Sequence, residues 1–303
     1  MMTDQQKGFA AAVFCFTFWG FVPIFFKFLQ HVPALTIIAH RVVWGGLFLI
    51  LFLKIRERRL LPALKLSVKQ FFGLLLSGAL VVANWLIFVW AVTHDQILAT
   101  SLGYFINPLV NVFLGLLFLG ERLNKWQSLS LLLACASTIY LGIYLGQAPW
   151  VSLALALTFG FYGLVRKKLD IRPLIGLFWE TAIWTLPSLI YLLVVHQQVD
   201  HSFSNMTWVF LVLAGLVTVL PLIGFNYAAK KLTLVIIGFM QYIAPSISFL
   251  IAVLLYGEDF TFGHRMAFTG IWLALILISW RPLYLFMQQR SKARALAKRH
   301  HIQ

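Results

Sequence analysis

The stretch SLGYFINPLVNVFLGLLFLGE (Ser101–Glu121) recurs without a gap as GFMQYIAPSISFLIAVLLYGE (Gly238–Glu258). The offset of 137 residues holds over the longer segment Gly78–Glu121, which falls on Gly215–Glu258. Along it Val82 meets Val219, Phe88 meets Phe225, Ala91 meets Ala228, Ile106 meets Ile243 and Pro108 meets Pro245. Gly120-Glu121 likewise meets Gly257-Glu258. Upstream the likeness weakens: Phe18-Trp19-Gly20 resembles Phe161-Tyr162-Gly163 and Trp44 aligns with Trp184, at drifting offsets of about 140–144. The chain thus divides into a first copy, 1–146, a second copy, 147–289, and a basic tail, 290–303. The linker Gly146-Gln147-Ala148-Pro149 is short, which suits two packed halves better than two free domains.

The repeated unit is a set of membrane spans. The chain is 61% hydrophobic and 11% charged, with a mean hydropathy of +0.88, well beyond the range of soluble domains. Apolar runs long enough to cross a ~30 Å hydrocarbon core occupy 8–29, 35–54, 71–93, 97–119, 126–146, 148–166, 173–195, 207–229, 233–256 and 263–286. Barrel strands would be about half that length and would alternate. The expected fold class is an all-α polytopic membrane protein of ten helices. Five spans in each copy, an odd number, turn the second copy over, so the repeats are inverted. Inverted repeats built around a central site are the architecture of secondary transporters, and transport is the function class this organisation favours.

The net charge of +15 does not point to nucleic acid. With the N-terminus inside, 21 of the 24 Lys and Arg residues fall in inside segments: Lys7, six between Lys54 and Lys69, Arg122 and Lys125, Arg166 to Arg172, Lys230-Lys231, and Arg281 to Arg299. That bias predicts cytoplasmic termini, an anionic-lipid contact for the tail, and a surface helix or solvated linker between Lys54 and Gln70. Cys15 and Cys135 lie deep in spans and form no metal or redox motif. No Gly-Lys dipeptide is present, which excludes a P-loop. No cofactor or metal is expected. The expected partners are a small-molecule solute and membrane lipid, and the oligomeric state is open. The first span is too long for a signal h-region and is expected to remain as a helix.

Polar residues inside spans are the candidate chemistry. Ser101, Tyr104, Asn107, Pro108 and Asn111 share one stripe of the fourth span, and Gly238, Gln241, Pro245 and Ser248 repeat it in the ninth. Each proline frees a carbonyl, so Pro108 and Pro245 mark paired hinges or kinks facing a cavity; polar contacts between packed helices fit the stripe as well. Glu180 is the one acidic residue well inside a span and is the candidate coupling site. Its rough counterpart is His40-Arg41 on the second span. Arg41 suits an anionic group or snorkels to the headgroups. Asn84 and Asn226 add uncharged polar groups at depth. Trp19, Trp44, Trp90, Tyr162 and Trp184 add aromatic surface for a flat amphipathic solute. The alternatives are a non-transporting membrane receptor or assembly protein and a membrane-embedded lipid-modifying enzyme; the enzyme would need a nucleophile–base or metal constellation, which His40 and Glu180 supply only if the fold brings them together.

The run Ser101–Val112, its continuation to Phe118-Leu-Gly-Glu-Arg122, His40-Arg41, Asn84-Trp85, Phe161–Lys168 and Glu180-Thr181 resemble the RarD-type permeases. These form part of the EamA branch of the drug/metabolite transporter superfamily. The resemblance covers nearly the whole chain. It implies a bacterial inner-membrane permease of two inverted halves, with a cavity formed mainly by the first four helices of each. Carried over by position, His40, Arg41, Asn84, Tyr104, Asn107, Glu180 and Gln241 would contribute to that cavity.

Overall fold

The computed structural model describes residues 3–56, 65–93, 97–146, 149–196, 203–256, 261–274 and 276–277. All regular structure among them is helical: α1 Asp4–Lys27, α2 Ala34–Arg56, α3 Val68–Thr93, α4 Ile97–Leu119, α5 Lys125–Leu145, α6 Pro149–Lys168, α7 Pro173–His196, α8 Asn205–Lys231, α9 Leu234–Gln241 and α10 Ile243–Tyr256. A further helical stretch, α11, covers 262–274. These elements coincide with the ten apolar runs. Among the described residues, seven candidate spans are long and apolar enough to cross a membrane. The basic tail, residues 57–64 of the 54–70 loop, and the end of the tenth run lie outside the described residues.

Local chemistry sets the ends. Thr3 with Gln6 and Asn124 with Gln127 form capping boxes before α1 and α5. Ser204 and Thr233 cap α8 and α9. Prolines open α6 and α7, where an absent N–H costs nothing. Gly146 ends α5 at φ 63°, a left-handed position that suits glycine.

The ninth run differs from expectation, since it is two helices. Pro245 cannot donate to the Gln241 carbonyl. The chain tightens at Tyr242, whose N–H reaches back to the Phe239 carbonyl at 3.3 Å. A new helix then starts at Ile243, with Pro245 in its first turn. Pro108, its counterpart, is absorbed within an unbroken α4.

The chain forms two compact units. The smaller, Arg122–Gly146 with Phe260–Gln303, brings Gly263 against the Tyr144 ring and Gly270 against Ser137. The larger, Met1–Glu121 with Gln147–Asp259, holds α1–α4 and α6–α10. Its extensive helix pairs all join one repeat to the other: α4 with α6 and α9, α1 with α8 and α10, α2 with α7 and α8, and α3 with α6. The repeats are interleaved, and exchanging them leaves this pairing pattern nearly unchanged.

Contacts at the helix ends establish the inversion. Asp4, at the start of α1, pairs with Lys231 at 2.5 Å. Lys167, at the finish of α6, donates to the Ala229 carbonyl at 3.0 Å and to that of Leu232. The first helix of one repeat therefore begins at the end of α8 where the first helix of the other finishes. Glu121, just past α4, accepts from the Leu234 and Val235 N–H groups at 2.8 and 2.9 Å, bridging that end of α4 to the start of α9.

Packing also corrects the register of the weaker half of the duplication. A Cβ on Gly20 would strike Ile247, and one on Gly160 would strike Val110; Val110 and Ile247 are themselves 137 apart. Gly20 therefore corresponds to Gly160, one turn before Gly163. The offset of 140 that joins Trp44 to Trp184 then holds for α1 and α2 alike. Trp19 and its true mate Phe159 meet edge to face at 5.9 Å. With Phe16, Tyr162 and Phe225 they fill the core of the unit.

Candidate functional site

Glu180 is 3% exposed, and its partner is Arg166, itself 1% exposed. The Arg166 Nε lies 3.5 Å from Glu180 Oε1, and the Ser77 hydroxyl donates to the same oxygen. Arg166 also donates through Nε to Asn226 Oδ1 at 3.1 Å and through Nη2 to the Pro173 carbonyl at 3.1 Å. Asn226 Nδ2 in turn donates to the Tyr162 hydroxyl at 3.0 Å. Four helices, α3, α6, α7 and α8, thus supply one buried polar network. Burying two charges costs several kcal/mol each before pairing, and only completed hydrogen bonds offset that.

Beside this network lies a narrow cavity. Arg41, Trp85, Tyr162, Glu180, Trp184 and Thr218 line it, with valines and leucines between them. Arg41 donates from Nε to the Thr218 hydroxyl at 2.7 Å. Its guanidinium stacks over the Trp85 ring at 4.8 Å and the Phe26 ring at 5.2 Å, so it is held in the protein by a cation–π sandwich. Tyr104 is half exposed, and its ring meets that of Phe88 at 6.2 Å.

The remaining sequence candidates lie elsewhere. Asn84 binds the Leu155 carbonyl at 2.8 Å and the Thr158 hydroxyl at 2.9 Å, tying α3 to α6. Asn111 donates to Gln241 across the α4–α9 seam. Asn107 is buried, and Gly238 lies against the Pro108 carbonyl. Asn111 and Pro108 of the fourth-span stripe therefore meet its duplicate as contacts between helices. His40 accepts from the Trp44 indole at 3.2 Å and packs against Trp208 at 5.5 Å, away from Glu180. Trp90 meets Trp150 at 5.1 Å, and Trp19 is in the core.

Three residues escaped the sequence reading. Arg166 was counted with the basic run at the end of its span, although it follows Tyr162 by one turn on the same helix face. Ser77 and Thr218 are small hydroxyl residues with no distinguishing pattern.

The interleaved inverted repeats, the cavity lined from both, and the ion pair in its wall define a multi-pass membrane transporter. Residues 6–143 and 148–280 each match the EamA-like transporter family. An uncharacterized transporter of Vibrio cholerae is 43% identical over 91% of this chain and 93% of its own length. Protein RarD of Escherichia coli is 39% identical, over 93% and 96%. A chloramphenicol-sensitive protein RarD of Pseudomonas aeruginosa is 31% identical, over 92% and 94%. A solved crystal structure 16% identical in sequence superposes with a TM-score of 0.72 over 90% of this chain and 97% of the other, which shows a shared fold. The chain belongs to the EamA-like transporter family.

Proposed function

We propose that the protein is a secondary transporter moving a small amphipathic metabolite or drug-like solute across the bacterial inner membrane by alternating access, with both termini cytoplasmic. The observation that carries this reading is the cavity itself, walled by both repeats and holding Arg41 and Glu180 among apolar side chains. Arg41 receives the polar or anionic group of the solute, while Trp85, Trp184 and Tyr104 take its apolar part. Pro108 and Pro245 serve as hinges on the axis where α4 meets α9. Glu180 is the coupling group. His40, Trp44, Asn84, Asn107, Asn111, Asn226 and Gln241 act by holding helices rather than by touching solute.

The helix pairings suggest which bodies move. One bundle is α1, α2, α8 and α10; its mate under repeat exchange is α6, α7, α3 and α4. Each mixes both repeats, so the sequence halves 1–146 and 147–289 are units of duplication, and the mixed bundles are the units of motion. In this reading the positive-inside bias puts the Glu121 and Lys167 contacts on the cytoplasmic side.

A ligand that binds only the folded protein raises its stability with concentration. Purified protein is screened by thermal shift against amino acids, nucleobases, small metabolites and chloramphenicol. The expected hit is dose-dependent and lost in Arg41→Ala. A hit retained in both Arg41→Ala and Glu180→Gln removes the solute from this cavity.

A further inference from the structure

The network around Glu180 divides the work of its two oxygens. Oε1 takes Arg166 and the Ser77 hydroxyl, whereas Oε2 is buried without a hydrogen-bond partner. Arg166 is seated with equal specificity. A Cβ on Gly176 would fall 2.6 Å from Nη2 and 2.7 Å from Cζ, so only glycine leaves room for the guanidinium against α7. The Pro173 carbonyl and Asn226 hold it from two further directions. A flexible lysine could not fill this fork-shaped seat in the same way.

We propose that Arg166, seated on Gly176, is the resident counter-ion of Glu180, and that a proton reaching this carboxylate has to displace it. The proposal rests on the reading of Glu180 as the coupling group and says what controls that group. Arg166 is a positioning residue: it touches no solute and decides which cation the carboxylate carries. While the pair is closed, Arg166 and the Ser77 hydroxyl both oppose protonation of Glu180. In the coupling step a proton from water in the cavity adds to the carboxylate, giving a neutral carboxyl. Arg166 keeps its charge and its two neutral acceptors, Asn226 and the Pro173 carbonyl. The charged or titratable groups around Glu180 are Arg166 and Tyr162 from α6 and Arg41 from α2. Ser77 from α3 and Asn226 from α8 do not titrate.

The test needs no knowledge of the solute. An infrared pH titration of purified protein follows the C=O stretch of a protonated carboxyl, assigned to Glu180 by its loss in Glu180→Gln. In Arg166→Gln the midpoint of that band is expected to move to higher pH by about 1–3 units, the size of an arginine's effect on an adjacent carboxylate. Gly176→Ala, which displaces the guanidinium without removing charge, is expected to move it the same way by less. An unchanged midpoint in both variants, or no Glu180 band in either down to mildly acidic pH, overturns the proposal. If Arg166→Gln does not fold, Arg166→Gln/Glu180→Gln is expected to fold; failure of that double variant as well also overturns it. A transporter that works without Glu180 would undo the coupling role while leaving this titration intact, so the two failures are distinguishable.

Discussion

The α2–α8 and α3–α7 interfaces are the same interface by descent, yet one is closed and the other is not. In the first, Gly215 meets α2 backbone to backbone: its Cβ would lie 2.5 Å from the Gly45 nitrogen and 2.7 Å from the Trp44 carbonyl carbon. In the second, the equivalent Gly78 faces the Trp184 side chain, with 3.2 Å to Nε1. Trp44 gives its indole N–H to His40 four residues back. Trp184 sits four residues after Glu180, and its Nε1 has no partner. The cavity lies among all four of these helices, with Trp184 of the looser interface in its wall. The two copies of this interface are therefore packed differently in this structure.

Mutations can break this comparison, and the ion pair should respond most. Arg166→Ala leaves Glu180 buried without its counter-ion and is expected to cost about 3–5 kcal/mol, read as a lower unfolding temperature in detergent. The α1 residue at the same offset of 140 is Phe26, which has no such burden. A small effect at Arg166 would mean that the pair is not what distinguishes the two sides.

Next in size is the glycine pair. Gly215→Ala pushes a methyl into backbone and is expected to destabilise by about 1–3 kcal/mol. Gly78→Ala meets a side chain that can give way, and should be nearly neutral. Equal losses would remove the distinction between the tight and loose interfaces.

Glu121→Ala removes both acceptors from the start of α9, and with them the tie to α4. A loss of about 0.5–2 kcal/mol is expected, while Glu121→Gln should recover part of it by restoring one acceptor without the charge favoured at a helix N-terminus. If both variants melt like the unmodified protein, α4 and α9 are held together by the Asn111–Gln241 seam alone.

The smallest expected effect is the most specific. Trp44→Phe deletes a made hydrogen bond and should cost about 0.5–1.5 kcal/mol. Trp184→Phe deletes an unmade one and should leave stability unchanged or slightly raised. The reverse order, measured by thermal unfolding, would show that the resting protein has its two interfaces the other way round.

Much of the fold was legible in the chain because its signals are one-dimensional. Span length follows from membrane thickness, and the duplication is visible residue against residue from Gly78 to Glu121. Five spans per copy force the inversion. Glu180 stands out as a carboxylate in an apolar run, and Tyr162 and Asn226 as aromatic and polar groups at membrane depth, but nothing along the chain groups them with each other. Pro245 announced trouble in the ninth run, but not that α9 would end at Gln241 while Pro108 left α4 intact.

Partnership was decided by tertiary structure. Nothing along the chain says that Glu180 meets Arg166 rather than Arg41, or that Arg41 lies between Trp85 and Phe26. Nothing there says that Asn111 and Pro108 of the fourth-span stripe meet the ninth. In water the polar face of a helix betrays which side is buried. In a bilayer the lipid side and the packed side are both apolar, so that signal fades. The sequence therefore determined that the chain is a series of apolar helices in two copies, and where along the chain most of them run. How each is rotated about its axis, and which charges consequently meet, was settled by close packing at Gly176 and Gly215, where only a bare backbone fits.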